Sequence, residues 1–134
     1  MITVDLRSDH VPGDDQLNAI AGDLIRAKYT VGQEMKIHRM MLVNPADPIA
    51  KQNFDQYNAD IDAISADLNA AKVQAALLRS TIEYEEAYRF LEGFSRLPPG
   101  MHLTFPQAQI DAANAIVRGV SQDVLTLAKT RGKI

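Results

Sequence analysis

The sequence predicts an all-α protein, a helical bundle built on one long helix. Between residues 50 and 82, apolar residues recur at alternating three- and four-residue steps. That spacing is typical of a helix lying along a partner helix, where the repeat averages 3.5 residues. No glycine or proline interrupts the chain from Ile49 to Glu92, and only one short segment shows the alternation of a strand. We therefore predict the long helix over about residues 48–93.

The apolar stripe of this helix, here called the seam, is the predicted contact with other helices. It begins at Ala50 and continues with Phe54, Tyr57, Ile61, Ile64, Leu68, Ala71, Ala75, Leu78 and Ile82. Beyond Ile82 the next two positions would be Glu85 and Arg89, so the repeat fails and a broader apolar face predicts more globular packing. A break near Asn58 or Asn69 stays open, because asparagine disfavours helix interiors.

Two shorter helices are predicted before the long one. The first runs from Asp14 to about Tyr29, with acidic residues in its first turn that suit the positive end of the helix dipole. The second runs from Val31 to Val43, and Thr30 with Gln33 fits a capping box. Its methionines, Met35, Met40 and Met41, form a soft apolar surface that fits a bundle core better than an adaptable binding surface.

A C-terminal helix is predicted over about residues 105–130. Leu97-Pro98-Pro99-Gly100 separates it from the long helix, and Thr104 with Gln107 resembles a second capping box. Its apolar residues repeat the three-four spacing: Ile110, Ala113, Val117, Val120, Val124 and Leu127. Because the connection is short, the long helix and this helix should pack antiparallel.

Residues 1–134 are expected to form a single helical domain, with residues 1–13 as an extended N-terminal arm. In this segment Ile2, Val4 and Leu6 alternate with polar residues, which suits one short strand. Two interpretations stay open: an arm that docks on a neighbouring molecule, or an ordered coil packed on the bundle.

Composition narrows the class of protein. An apolar fraction of 46% and a charged fraction of 23% are ordinary for a folded domain. There is no cysteine, hence no disulfide or thiolate site. Apolar runs are too short for a membrane span, no secretory signal is apparent, and the basic C-terminal residues are too sparse for nucleic-acid binding. We expect protein partners, in a homo-oligomer or larger assembly, with no membrane or nucleic acid, in the cytoplasm or a virion.

No constellation of residues points to catalysis, a cofactor or a metal. The three histidines, His10, His38 and His102, lie in separate segments. Glu34 and His38 share a helical face, but a surface ion pair explains them better than a metal site. Acidic residues at 83, 85 and 86 fit a solvated helix face. With no Gly-rich phosphate loop and no nucleophile elbow, we expect no catalytic residue, cofactor or metal.

One stretch resembles a known class of protein. Tyr29-Thr30-Val31-Gly32-Gln33-Glu34, then Asn44-Pro45-Ala46-Asp47-Pro48, then Phe54, Tyr57, Asn58 and Ile61 are similar to a segment of small tail-assembly accessory proteins of tailed bacteriophages. The likeness covers about a quarter of the chain and ends where the long helix continues for some thirty residues. It implies a virion component or an assembly factor and assigns no functional residue.

The long seam and the missing chemistry favour a non-enzymatic structural or assembly protein that acts by coiled-coil-like helix–helix association. A helical adaptor, chaperone or inhibitor that binds one cognate protein is the alternative. A third hypothesis is an enzyme on a four-helix scaffold with a metal at Glu34 and His38.

Overall fold

A computed structural model, which describes all residues Met1–Ile134, confirms the all-α fold. Its elements are α1 (Asp14–Lys28), α2 (Val31–Val43), α3 (Pro48–Ser95), a 3-10 helix (Pro99–Thr104), α4 (Gln107–Arg118) and α5 (Gln122–Arg131). No strand is present. The long helix is continuous, with no break at Asn58 or Asn69.

The chain divides into two compact units. One contains Met1–Val4 with Pro12–Val73, and the other contains Asp5–Val11 with Gln74–Ile134. α3 contributes its first half to one unit and its second half to the other. The expectation of a single domain over residues 1–134 stays a prediction.

In the first unit, α2 runs antiparallel to the beginning of α3. Tyr29, just before α2, contacts Tyr57, whereas His38 in the middle of α2 contacts Phe54. The capping box is confirmed: the Thr30 hydroxyl accepts from the backbone N–H of Gln33, and the Gln33 side chain accepts from the Thr30 N–H. This cap satisfies backbone donors that the first helical turn leaves unpaired and so defines where α2 begins.

In the second unit, the end of α3 runs antiparallel to the C-terminal helices, as predicted. Phe94 contacts Phe105 at one end, and Tyr84 packs with Val124 and Ala128 further along. Leu77, Val117, Val120 and Leu125 pack around that core.

The predicted C-terminal helix over 105–130 is two helices. α4 ends at Gly119, and Ser121 begins α5 by accepting a hydrogen bond from the Val124 N–H. Glycine disfavours helix continuation and serine favours the N-cap, so two adjacent local preferences interrupt an otherwise regular apolar repeat. The second capping box does not form, because the Thr104 hydroxyl donates to the Met101 carbonyl within the 3-10 helix.

Residues 1–13 form neither a helix nor a strand. Ile2 is buried, and the carbonyl oxygens of Leu6 and Ser8 accept hydrogen bonds from Arg131. The predicted strand is therefore absent. The role of this segment as an arm that docks on a neighbour stays a prediction.

Candidate interaction surface

The seam is covered by the chain's own residues. In the first unit, Ala50, Ile64 and Ala71 are buried, and Phe54, Tyr57, Ile61 and Leu68 are half-buried. In the second unit, Ala75 and Leu78 are buried, and Ile82 is half-buried. No seam residue is exposed, so each contributes to packing within a single chain. The further prediction that the seam contacts another chain stays a prediction.

Beyond the seam, α3 buries a charged residue that we expected on a solvated face. Glu83 and Glu86 are exposed, but the side chain of Glu85 is only 1% exposed. Thr81 beside it is also buried, and its hydroxyl donates to the Leu77 carbonyl oxygen at 2.7 Å. The expectation for Glu85 was wrong because it occupies the next position of the seam, which the fold keeps inside.

Arg131 of α5 is the partner of Glu85. Its Nε donates to both carboxylate oxygens of Glu85, at 3.2 and 3.0 Å, and its own side chain is 1% exposed. Nη1 donates to the carbonyl oxygens of Leu6 and Ser8, at 2.7 and 2.8 Å, and Nη2 donates to Asp9 at 2.8 Å. This cluster, here called the arginine node, joins α3, α5 and residues 6–9.

An aromatic cluster joins α2 to α3 in the first unit. The Tyr29 hydroxyl donates to Asp60 at 2.6 Å; this bond raises the pKa of Tyr29 and lowers the pKa of Asp60. The ring of His38 forms T-shaped contacts with Phe54 and Tyr57, with centroids 5.6 and 5.3 Å apart. Partial burial raises the pKa of Tyr57, and the neighbouring Glu34 adds to that shift.

Glu34 and His38 therefore both lie beside Tyr57. They share a helical face as predicted, but the expected ion pair between them does not form. No group of three or more histidine, aspartate or glutamate side chains in the chain is arranged to hold a metal ion.

A second aromatic cluster lies at the turn of the second unit. Phe90, Phe94 and Phe105 contact one another, and the ring of His102 stacks on Phe94 with centroids 4.4 Å apart. Nε2 of His102 lies 2.9 Å from the Leu97 carbonyl oxygen and donates to it, since a carbonyl can only accept. These contacts pack the 3-10 helix against the end of α3.

Four strongly exposed apolar side chains lie on α2. Val31, Met35, Leu42 and Val43, here called the α2 outer face, are between 67% and 84% exposed. The opposite side of α2 is half-buried, through Ile37, Met40 and Met41. Ile37 and Met40 line a groove of about 260 Å³ together with Ala50 of α3.

The three methionines predicted to form a core surface of α2 lie on two different sides of the helix. Met40 and Met41 are half-buried as expected, whereas Met35 is exposed. At about 100° per residue, Met35 and Met40 project about 140° apart. This angle means that α2 cannot bury Met35 and Met40 against the same neighbouring helix. The spacing of these two methionines was therefore the sequence signal for an exposed apolar side of α2.

No known protein family, curated protein sequence or solved structure matches this chain. None of its helices combines the length and the apolar character needed to cross a membrane. The geometry of the chain itself is therefore the basis for a functional assignment.

Proposed function

We propose that this chain is a non-enzymatic structural or assembly protein that acts by helix–helix association through the α2 outer face. The observation that carries the proposal is the exposure of four large apolar side chains on one 13-residue helix. A helix of a folded domain normally turns its apolar residues inward and its polar residues outward. Contiguous exposed apolar residues are typical of interaction surfaces.

The α2 outer face is a better candidate for this contact than the seam. Seam residues such as Leu78 are already buried within the chain, so a partner could reach them only if the chain opened. Leu42 and its neighbours are accessible without any rearrangement.

The resemblance to phage tail-assembly proteins supports the same class of function. Its segments, Tyr29–Glu34 and Asn44–Pro48, adjoin the two ends of α2. A component of a virion, or a cytoplasmic factor that assembles one, would use such a surface in contacts between copies or with other subunits.

The expected affinity of one such contact is modest. Full burial of a large aliphatic side chain contributes about 1.5–3 kcal/mol, and association costs about 4–15 kcal/mol in lost translational and rotational freedom. Four such side chains contribute about 6–12 kcal/mol, which is comparable with that cost. A contact of this strength suits an assembly in which several copies or subunits act together.

The test is the mass of the purified protein in solution, measured by light scattering after size exclusion at several concentrations. Met35→Glu with Leu42→Glu should shift the mass to that of a monomer, because both substitutions place a charge in the contact. Leu103→Glu is the matched control, since Leu103 is 89% exposed but lies in the 3-10 helix of the other unit.

Circular dichroism should show that all variants keep their helix content. If the chain is instead an adaptor for one cognate protein, the free protein should be a monomer that forms a defined complex with that protein. The same substitutions in α2 should then abolish the complex. A wild-type chain that is monomeric at every concentration and binds no other protein contradicts the proposal.

A further inference from the structure

We infer that the occupant of the α2 outer face is a second copy of this chain, with the two α2 helices parallel and in register. The inference rests on the proposed function, because it names the partner of the same surface.

The exposed apolar residues of α2 follow a heptad spacing. Val31, Met35, His38 and Leu42 follow one another at steps of four, three and four residues. These are the d, a, d and a positions of a heptad, the pattern that packs one helix along another. The three apolar members of this series are all strongly exposed. His38 occupies the remaining position, at the edge of the stripe, where its ring also packs against Phe54 and Tyr57 of its own chain.

Two charged residues of opposite sign flank that apolar stripe. Glu34 falls at a g position and Arg39 at the following e position, five residues later. Neither residue forms an ion pair within its own chain, although Glu34 also lies beside Tyr57 of its own α3. In a parallel pair, a g residue of one helix faces the next e residue of its partner, so Glu34 of each copy would meet Arg39 of the other.

An antiparallel pair would lose this complementarity. It places g positions opposite g positions and e positions opposite e positions, so Glu34 would face the Glu34 and Met41 side of the second copy. The two ion pairs of the parallel arrangement are exposed and individually weak. They therefore select orientation and register, while the apolar residues supply most of the affinity.

The area of the α2 outer face limits the size of the contact. Its exposed side chains present a few hundred Å² of surface per copy, less than the roughly 800 Å² per partner of a standard interface. Self-pairing would thus form a small but specific interface. Because both copies supply the same residues, the contact closes as a two-fold dimer.

Cysteine cross-linking tests the arrangement directly, because the chain has no cysteine of its own. A parallel, in-register pair places residue 42 of one copy beside residue 42 of the other, so Leu42→Cys should give a covalent dimer under mild oxidation. In an antiparallel pair the two residues would be about 16 Å apart, eleven residues at 1.5 Å each, too far for a disulfide. Leu103→Cys is the matched control and should remain largely uncoupled.

A charge exchange tests the register. Glu34→Arg alone and Arg39→Glu alone should each weaken dimerisation about 3- to 30-fold in sedimentation equilibrium, from loss of two exposed ion pairs and the repulsion that replaces them. The double variant Glu34→Arg with Arg39→Glu should restore the wild-type dissociation constant to within about threefold.

The outcomes separate this inference from the proposed function. If Leu42→Cys couples only when mixed with Val31→Cys, the parallel arrangement is overturned, although association through α2 stands. If the wild type is monomeric but Met35→Glu with Leu42→Glu abolishes a complex with a different protein, self-pairing is overturned and the proposed function survives. A monomer with no partner overturns both.

Discussion

Replacing Arg131 by methionine should destabilise the protein severely. The substitution keeps most of the side-chain length but removes the only cation within bonding distance of Glu85, whose side chain is 1% exposed. Breaking a buried ion pair from one side costs about 3–5 kcal/mol, because the remaining charge is buried without a partner. The carbonyl oxygens of Leu6 and Ser8 lose their donor in the same step. Against a typical unfolding free energy of 5–15 kcal/mol, this is a large fraction of the total.

Replacing Glu85, the other member of the ion pair, should lower the free energy of unfolding by less. Glu85→Leu leaves Arg131 bonded to Asp9 and to the two backbone carbonyls, so the guanidinium keeps acceptors. We expect the free energy of unfolding to fall by about 1–3 kcal/mol, the usual cost of leaving a buried donor or acceptor without its hydrogen-bond partner. The double variant should lose clearly less than the sum of the two single losses, because it removes the unpaired carboxylate that makes Arg131→Met costly.

Urea unfolding followed by circular dichroism measures all three variants. Arg96→Met is the matched control: Arg96 pairs with Glu92 at 2.6 Å, but both side chains are largely exposed, so its loss should cost under about 1 kcal/mol. An Arg131→Met variant as stable as the control, or a double variant whose loss equals the sum of the singles, would refute the account of the arginine node.

Three further predictions concern other contacts in the fold. Leu78→Ala should lower the unfolding free energy by about 2–5 kcal/mol, because Leu78 is fully buried in the seam. Val73→Ala, at an exposed position of the same helix, should change it by under about 0.5 kcal/mol. Equal losses for the two variants would contradict a buried seam. Tyr29→Phe should reduce stability at pH 7, as measured by urea unfolding, and the difference from the wild type should shrink at pH 3. The hydrogen bond from Tyr29 lowers the pKa of Asp60 in the folded state. The stability that this bond contributes is therefore present above the unfolded-state pKa of Asp60 and is lost as the pH falls through the folded-state pKa. A deficit that does not depend on pH would contradict this assignment. Gly132→Ala should lower the thermal midpoint and cost about 1–2 kcal/mol of stability, because Gly132 ends α5 in a left-handed conformation with φ 70°. Gly100→Ala should have little effect, because residue 100 has open space around it and no positive φ. Similar shifts for both variants would count against strain at residue 132.

Local features of the sequence determined most of the helices. The capping box of Thr30 and Gln33 acts within one turn, and the stretch without glycine or proline from Ile49 to Glu92 leaves nothing to interrupt α3. Such signals depend only on neighbours three or four residues away, which the sequence shows directly. The seam was likewise readable, because a regular apolar spacing on a long helix specifies which side is covered.

Tertiary structure alone decided what covers each surface. The spacing marked position 85 as a seam position, but only the fold brings Arg131, 46 residues away, and the carbonyl of Leu6 to complete a buried ion pair there. Similarly, α2 carries apolar residues on two sides, and the packing of α3 against the side of Met40 leaves Met35 exposed. Helical hydrogen bonds close within one turn, whereas the partner of a side chain depends on which distant surfaces meet, and one sequence does not encode that locally.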